Sequence, residues 1–277
     1  MPSSRPLERP PEWPAGGVGA RFKASFVFVV VLGLACLPVG FGFAATGRSG
    51  ALKYAFLLAA LFLLTAQFSL IARMRPHHRI SDITITSYDG HAATEVRYSG
   101  AQFALLSALV ACLAALSALA TWDFARADDD VPAAPVAAAL TGLAAVFFVS
   151  FFVLAALGRL RRGRIVLSQQ GIHQEGRTFT SFLPWESFAG AKASYNGTPE
   201  ILVVAYANAH WERRQLTRVW KLDKLPPVPM IEINPTALAV DPTLLYHLVR
   251  FYLEEPSARA ELGTDASLQR VRSAAFK

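Results

Sequence analysis

Four stretches in which nearly every position is apolar, 24–45, 54–72, 101–122 and 136–157, occupy the first part of the chain, and the pattern beyond them turns to short runs of alternating apolar and polar residues. Each stretch is close to the 20 or so residues that an α-helix needs to cross a hydrocarbon core of about 30 Å. The first two are separated only by Thr46-Gly47-Arg48-Ser49-Gly50, which allows nothing longer than a turn, so they are predicted to be antiparallel neighbours. The third and fourth repeat the arrangement around a polar link containing Asp123, Arg126, Asp128, Asp129 and Asp130. Pro38, flanked by Gly33, Gly40 and Gly42, predicts a kink in the first helix or the close approach of another backbone. In the third, Ala104, Ser107, Ala111, Ala114 and Ala118 recur at helical spacing and predict a packing strip of small side chains.

Between the two helical hairpins, Ile83-Thr84-Ile85-Thr86 and Thr94-Glu95-Val96-Arg97-Tyr98 alternate around Tyr88-Asp89-Gly90, the signal of a β-hairpin. Such a hairpin is marginal alone and is expected to pack on the C-terminal part. After Arg164 short strands are predicted around 165–167, 171–173, 178–183, from Pro184-Trp185 through Phe188 and Ala191, at 201–206 and at 229–233. Asp241-Pro242 supplies an N-cap with proline in the first turn, and Leu244, Leu245, Leu248, Phe251 and Tyr252 give the helix that follows one apolar face. Thr264 is positioned to cap a last short helix through Leu268 and Val271.

The organisation read from this pattern is a disordered leader over 1–20, a four-helix transmembrane part over 21–158 with a cytoplasmic β-hairpin near 83–98, a domain over 159–255, and short helices or a tail over 256–277. The leader is rich in Pro and Gly and poor in apolar surface, which sets little burial against the entropy of ordering. A signal peptide is disfavoured, because the apolar run behind it exceeds an h-region and a second block follows at once.

Composition agrees: 53% of the 277 residues are hydrophobic and 17% charged, against about 25% charged in a soluble domain. A net charge of +7 would point to nucleic acid in a soluble protein, but most of the basic residues flank the apolar blocks, so no nucleic-acid partner is expected. Arg21 and Lys23 precede the first block; Arg73, Arg75 and Arg79 follow the second; Arg97 precedes the third; Arg159, Arg161, Arg162 and Arg164 follow the fourth. By the positive-inside rule these regions face the cytoplasm, giving a multi-pass protein of the cell membrane with both termini cytoplasmic.

Several segments resemble a group of actinobacterial polytopic membrane proteins of unknown function that carry a C-terminal pleckstrin-homology-like (PH-like) domain. They are the 158–164 stretch Gly-Arg-Leu-Arg-Arg-Gly-Arg, Leu183-Pro184-Trp185-Glu186, Leu238-Ala239-Val240-Asp241-Pro242 with Leu244-Leu245-Tyr246-His247, and Val96-Arg97-Tyr98-Ser99. The resemblance spans most of the chain after residue 20. It implies an α-helical membrane protein, four transmembrane helices in two hairpins, with a C-terminal antiparallel β-barrel, PH-like, closed by an α-helix; it brings no catalytic residues.

The candidate chemistry is sparse. The spans carry no ionisable residue deep in their cores, and Lys53 stands at an end where it can snorkel, which argues against proton- or ion-driven carriers. Gln67, Gln102, Ser107, Ser117 and Thr141 suit interhelical contact better than a pore lining. Cys36 and Cys112 lie inside apolar blocks without metal-ligand spacing; His77-His78 and Asp128-Asp129-Asp130 lack the further ligands of a metal site, so neither a metal nor a cofactor is expected. Asn196-Gly197-Thr198 has the form of a glycosylation sequon but reads as a turn on the cytoplasmic side. The soluble part contains no G-x-S-x-G, P-loop, H-E-x-x-H or dinucleotide fingerprint, and no enzyme activity is expected. The favoured reading is a membrane-anchored binding or scaffold protein whose cytoplasmic PH-like domain contacts anionic lipid or a protein partner. Arg159, Arg161, Arg162 and Arg164 are candidates for that contact, as are Arg213, Arg214, Arg218 and Lys221, which are interleaved with Trp211 and Trp220. The alternatives are a small transport or channel component and, below that, an enzyme of unfamiliar type.

Overall fold

A computed structural model describes residues 7–14, 19–74, 82–127, 132–238 and 240–276. His77, His78 and the aspartates at 128–130 lie outside them. The chain divides into two compact units, one drawn from Gly17–Arg75 and Gly100–Gly158, the other from Met1–Gly16, Pro76–Ser99 and Arg159–Lys277.

The first unit consists of α1 (Ala20–Ala45), α2 (Ala51–Met74), α3 (Gly100–Phe124) and α4 (Ala134–Ala156). All four are long and apolar enough to cross a membrane. α1 packs on α2, α3 on α4, and α2 on α3. Glycine sets the first of these contacts: a Cβ on Gly40 would lie 2.3 Å from Ala55 Cβ, and one on Gly33 3.1 Å from Phe62 Cβ, whereas Gly42 has open space. The small strip expected in α3 is turned differently, with Ala104, Ala111 and Ala118 exposed while Gln102 and Val110 are buried. Composition marks a face as able to pack closely but does not choose which face the neighbouring helices take. Hydroxyls in these helices find partners within the unit: Ser107 and Thr141 donate to Phe103 O and Ala137 O at 2.9 and 2.7 Å, and Thr121 of α3 donates to Thr141 Oγ1 of α4 at 3.0 Å.

The second unit begins with β1 (Ile83–Tyr88) and β2 (His91–Arg97), joined by Asp89 and Gly90 with φ of 48° and 78°, the two positive values of a tight hairpin turn. It resumes after α4 with β3 (Arg164–Ser168), β4 (Gly171–Glu175), β5 (Phe179–Pro184), β6 (Phe188–Tyr195), β7 (Pro199–Ala205), β8 (Glu212–Gln215) and β9 (Met230–Ile233), then α5 (Pro242–Glu254) and α6 (Asp265–Ser273). The hairpin is part of the domain, because β2 pairs with β3 in the six-stranded antiparallel order β1-β2-β3-β4-β5-β8. β6-β7-β9 form a second, three-stranded sheet, so hydrogen bonding among the described residues does not close the strands into one barrel.

Between the sheets lies the core: Ile165, Leu167, Ile172 and Leu183 from the first, Ile201, Val203, Ile231 and Ile233 from the second, and Leu245, Leu248 and Tyr252 from α5, none more than 1% exposed. Asp241 caps α5, its carboxylate accepting from Thr243 N and Leu244 N at 2.7 and 3.3 Å. Three local expectations change. Trp185–Ser187 form a 3₁₀ turn rather than a strand, because Trp185 is drawn inward and donates through Nε1 to Ser168 O at 2.7 Å. Thr264 precedes α6 but its hydroxyl donates to Glu261 O at 2.6 Å instead of capping the helix. Within the supposed leader, Leu7–Pro14 is folded onto this unit, with Trp13 only 3% exposed.

Candidate functional site

The strand registers build one chemically distinctive face. Residues directly opposite in antiparallel pairs point the same way, so Arg97, Arg164, Glu175, Thr180 and Arg214 form a row across β2, β3, β4, β5 and β8. A second row on that face holds Thr84, Glu95, Val166, His173, Phe182 and Glu212. The opposite face carries Val96, Ile165, Leu167 and Ile172 into the core.

Two nearly buried carboxylates organise the arginines. Arg164 forks onto Glu175, Nε to Oε2 at 2.8 Å and Nη2 to Oε1 at 3.0 Å, with Nη1 3.7 Å from Glu95 Oε1. Arg97 donates to Glu95 through Nε at 2.9 Å, and Arg161 Nη1 stands 3.8 Å from Glu175 Oε2. The side chains of Glu95 and Glu175 are 3% and 9% exposed, those of Arg97 and Arg161 51% and 48%. The carboxylates therefore hold the guanidinium groups from below while two of those groups reach the surface. The hydrogen bond to Glu175 raises the Arg164 pKa, and that to Glu95 raises that of Arg97.

Aromatic rings flank this cluster. His173 stacks on Phe182 at 4.0 Å between centroids and meets Tyr88 at 4.3 Å. β1 is three strands from β4, about 14 Å in a flat sheet, so the β1–β2 ribbon must curl over this face to bring Tyr88 there. Burial pushes His173 down to about 4, only partly opposed by Asp89 and Glu175, and pushes the Tyr88 phenol up.

The residues anticipated from sequence do not act as one patch. Arg164 is bound internally, and Arg162 Nε donates to Tyr98 O. Arg159 and Arg161 are exposed in the segment leading from α4 to β3. Arg213 and Arg214 are exposed on the edge strand β8, but alternation sends them to opposite faces. Arg214 belongs to the Arg164 row, while Arg213 stacks over Trp211 at 4.7 Å and Trp211 Nε1 donates to Ser181 Oγ at 2.7 Å. Arg218 and Lys221 are exposed beyond β8. Glu95, Glu175, Tyr88 and His173 were not anticipated; the signal available was titratable residues at alternate positions, Glu95 with Arg97 in one predicted strand and His173 in another with Glu175 just beyond it.

Among the described residues no group of three His, Cys, Asp or Glu is placed to hold a metal ion. In the helical unit a cleft of about 420 Å³ between α1 and α2 is lined by Arg21, Ser25, Ser69 and Arg73 beside Phe22 and Phe26. No protein-family model, curated protein or solved structure matches the chain.

Proposed function

We propose that this protein is a membrane-anchored binding module whose C-terminal domain is PH-like and presents Arg97 and Arg214 of its arginine row, together with Arg159 and Arg161, to anionic lipid headgroups at the cytoplasmic surface of the cell membrane. The nearness of Arg97 and Arg159 to the ends of the apolar helices carries the reading. Arg97 precedes the first residue of α3 by three positions and Arg159 follows the last of α4 by three, so each Cα lies within about 10 Å of a span end. That is comparable with the Debye length of roughly 8 Å, within which a basic residue contributes about 1 kcal/mol at an anionic surface. Four spans already tether the domain, so this attraction orients it and selects headgroups rather than recruiting it.

The PH-like assignment rests on two antiparallel sheets with α5 packed on β6, together with the sequence resemblance to actinobacterial membrane proteins. The packing of Trp13 in the C-terminal unit supports a common side for residues 7–14 and that unit, and the arginine asymmetry supports the cytoplasm as that side.

A fragment begun at residue 165 would lack β1, β2 and Arg164, so the test uses the full chain. With Cys36 and Cys112 replaced by alanine, a donor dye on a cysteine at Glu212 reports energy transfer to headgroup acceptors in nanodiscs. Transfer should rise from neutral to anionic lipid, fall with salt, and fall in Arg159→Gln, Arg161→Gln, Arg214→Gln protein. Equal transfer in both lipids overturns the reading and favours a protein partner, sought by mild-detergent pull-down.

A further inference from the structure

Residues 7–14 read Leu-Glu-Arg-Pro-Pro-Glu-Trp-Pro, and their packing is that of a bound peptide. Trp13 is 3% exposed, donates through Nε1 to Ser194 O of β6 at 2.9 Å, and meets the Tyr246 ring of α5 edge-on at 6.0 Å. Pro10 is buried as well, and Trp13 N donates to Pro10 O at 3.1 Å, closing a turn over Pro11 and Glu12. Glu8 O lies 2.8 Å from His247 Nε2, also on α5. The segment thus meets α5 near both of its ends and β6 through Trp13.

Among the described residues β6 is the edge of its sheet, with β7 as its one strand partner. Leu7–Pro14 does not extend that sheet as another strand; Trp13 and Pro10 are buried, Leu7 packs against the core, and hydrogen bonds tie the segment to β6 and α5. Pro10 and Pro11 reduce the entropy lost on ordering the turn. Four helices separate it from α5 along the chain.

We infer that the groove between β6 and α5 is a peptide-recognition site, that Leu7–Pro14 is its resident intramolecular ligand, and that it accepts in trans a proline-turn peptide anchored by tryptophan. The tether keeps the resident segment at high effective concentration, so an outside peptide enters only when it outcompetes that segment. This site is separate from the arginine row and does not depend on the lipid reading.

The test uses the full-length chain in detergent and a fluorescent synthetic peptide with the sequence of residues 7–14, read by anisotropy. Trp13→Ala empties the slot, and the peptide should bind this protein saturably and at least tenfold more tightly than wild type. Binding should disappear when the peptide tryptophan is alanine, or when Tyr246→Ala is added to the protein. Equal binding to wild type and Trp13→Ala, no binding to a folded Trp13→Ala chain, or binding indifferent to the peptide tryptophan overturns the inference. If Trp13→Ala does not fold, Pro10→Gly with Pro11→Gly decides, since it loosens the resident turn and keeps the ring. Tighter peptide binding than wild type then supports the site, and unchanged binding overturns it.

Discussion

Lys53 Nζ and Asp123 Oδ1 are 2.5 Å apart, an ion pair between the start of α2 and the end of α3, and the Tyr54 hydroxyl donates to the other carboxylate oxygen at 2.7 Å. It is a polar tie between the two helical hairpins. Lys53→Met and Asp123→Asn should each lower the unfolding midpoint of the detergent-solubilised protein, and the double variant should lose less than the sum of the two. Strict additivity would mean that the pair contributes no coupling.

The α1–α2 contact depends on glycine at one position and not at its neighbour. At Gly40 an added methyl meets the Cβ of Ala55, which cannot move without its backbone, whereas at Gly42 it meets nothing within 4 Å. Gly40→Ala should destabilise the helical unit by about 1 to 3 kcal/mol, as overpacking commonly does. Gly42→Ala should not destabilise it, and the higher helix propensity of alanine can add up to about 1 kcal/mol. Denaturant titration of the two proteins side by side checks the contrast.

The four long apolar helices, the β-hairpin at Asp89-Gly90 and the Asp241 cap were legible because each has a local cause: a long apolar run, a dipeptide that tolerates positive φ, and a carboxylate ahead of proline. β8 was not read as a strand because Glu212-Arg213-Arg214-Gln215 is exposed on both faces and shows no alternation. Asp123 was read as part of the polar link, although Lys53 and Tyr54 hold it in the last turn of α3. Composition predicts disorder for the leader, but composition is an average, and over 7–14 one tryptophan in a slot outweighs it. For the arginine row the candidates were in view but their company was not. Which arginine meets Glu95 or Glu175 follows from a register between β2 and β3, and those strands are separated in sequence by two spans.

That register divides the arginines into two kinds. Removing Arg164 leaves Glu175, a side chain 9% exposed, without its bidentate partner, whereas Arg159 and Arg214 are exposed. Arg164→Ala should therefore cost about 2 to 4 kcal/mol, somewhat less than for a fully buried pair because Arg164 itself is partly exposed. Arg159→Ala and Arg214→Ala should each fall within about 0.5 kcal/mol of wild type. A thermal or denaturant series on the full-length protein separates the groups, and a loss at Arg214 as large as at Arg164 would refute the division.

His173 gives the domain a pH dependence of predictable sign. Its ring lies between Phe182 and Tyr88, and burial lowers its pKa from 6.5 to about 4. The folded state therefore binds fewer protons than the unfolded chain between those values. Stability is unaffected by this group above about pH 6.5, falls as the pH drops toward 4, and loses nothing further from it once both states are protonated. The loss is bounded at about 3 kcal/mol by the size of the shift, and solvent screening reduces it. Carboxylates also weaken the fold in acid: the hydrogen bond from Arg270 holds Glu261 below its ordinary value, so wild type must be compared with a variant lacking the imidazole. His173→Phe keeps an aromatic ring in the stack and removes the titration. The stability difference between His173→Phe and wild type should be constant from neutrality down to about pH 6.5 and then grow in favour of the variant as the pH approaches 4. Parallel pH profiles for the two proteins would show that the imidazole is not desolvated in the fold.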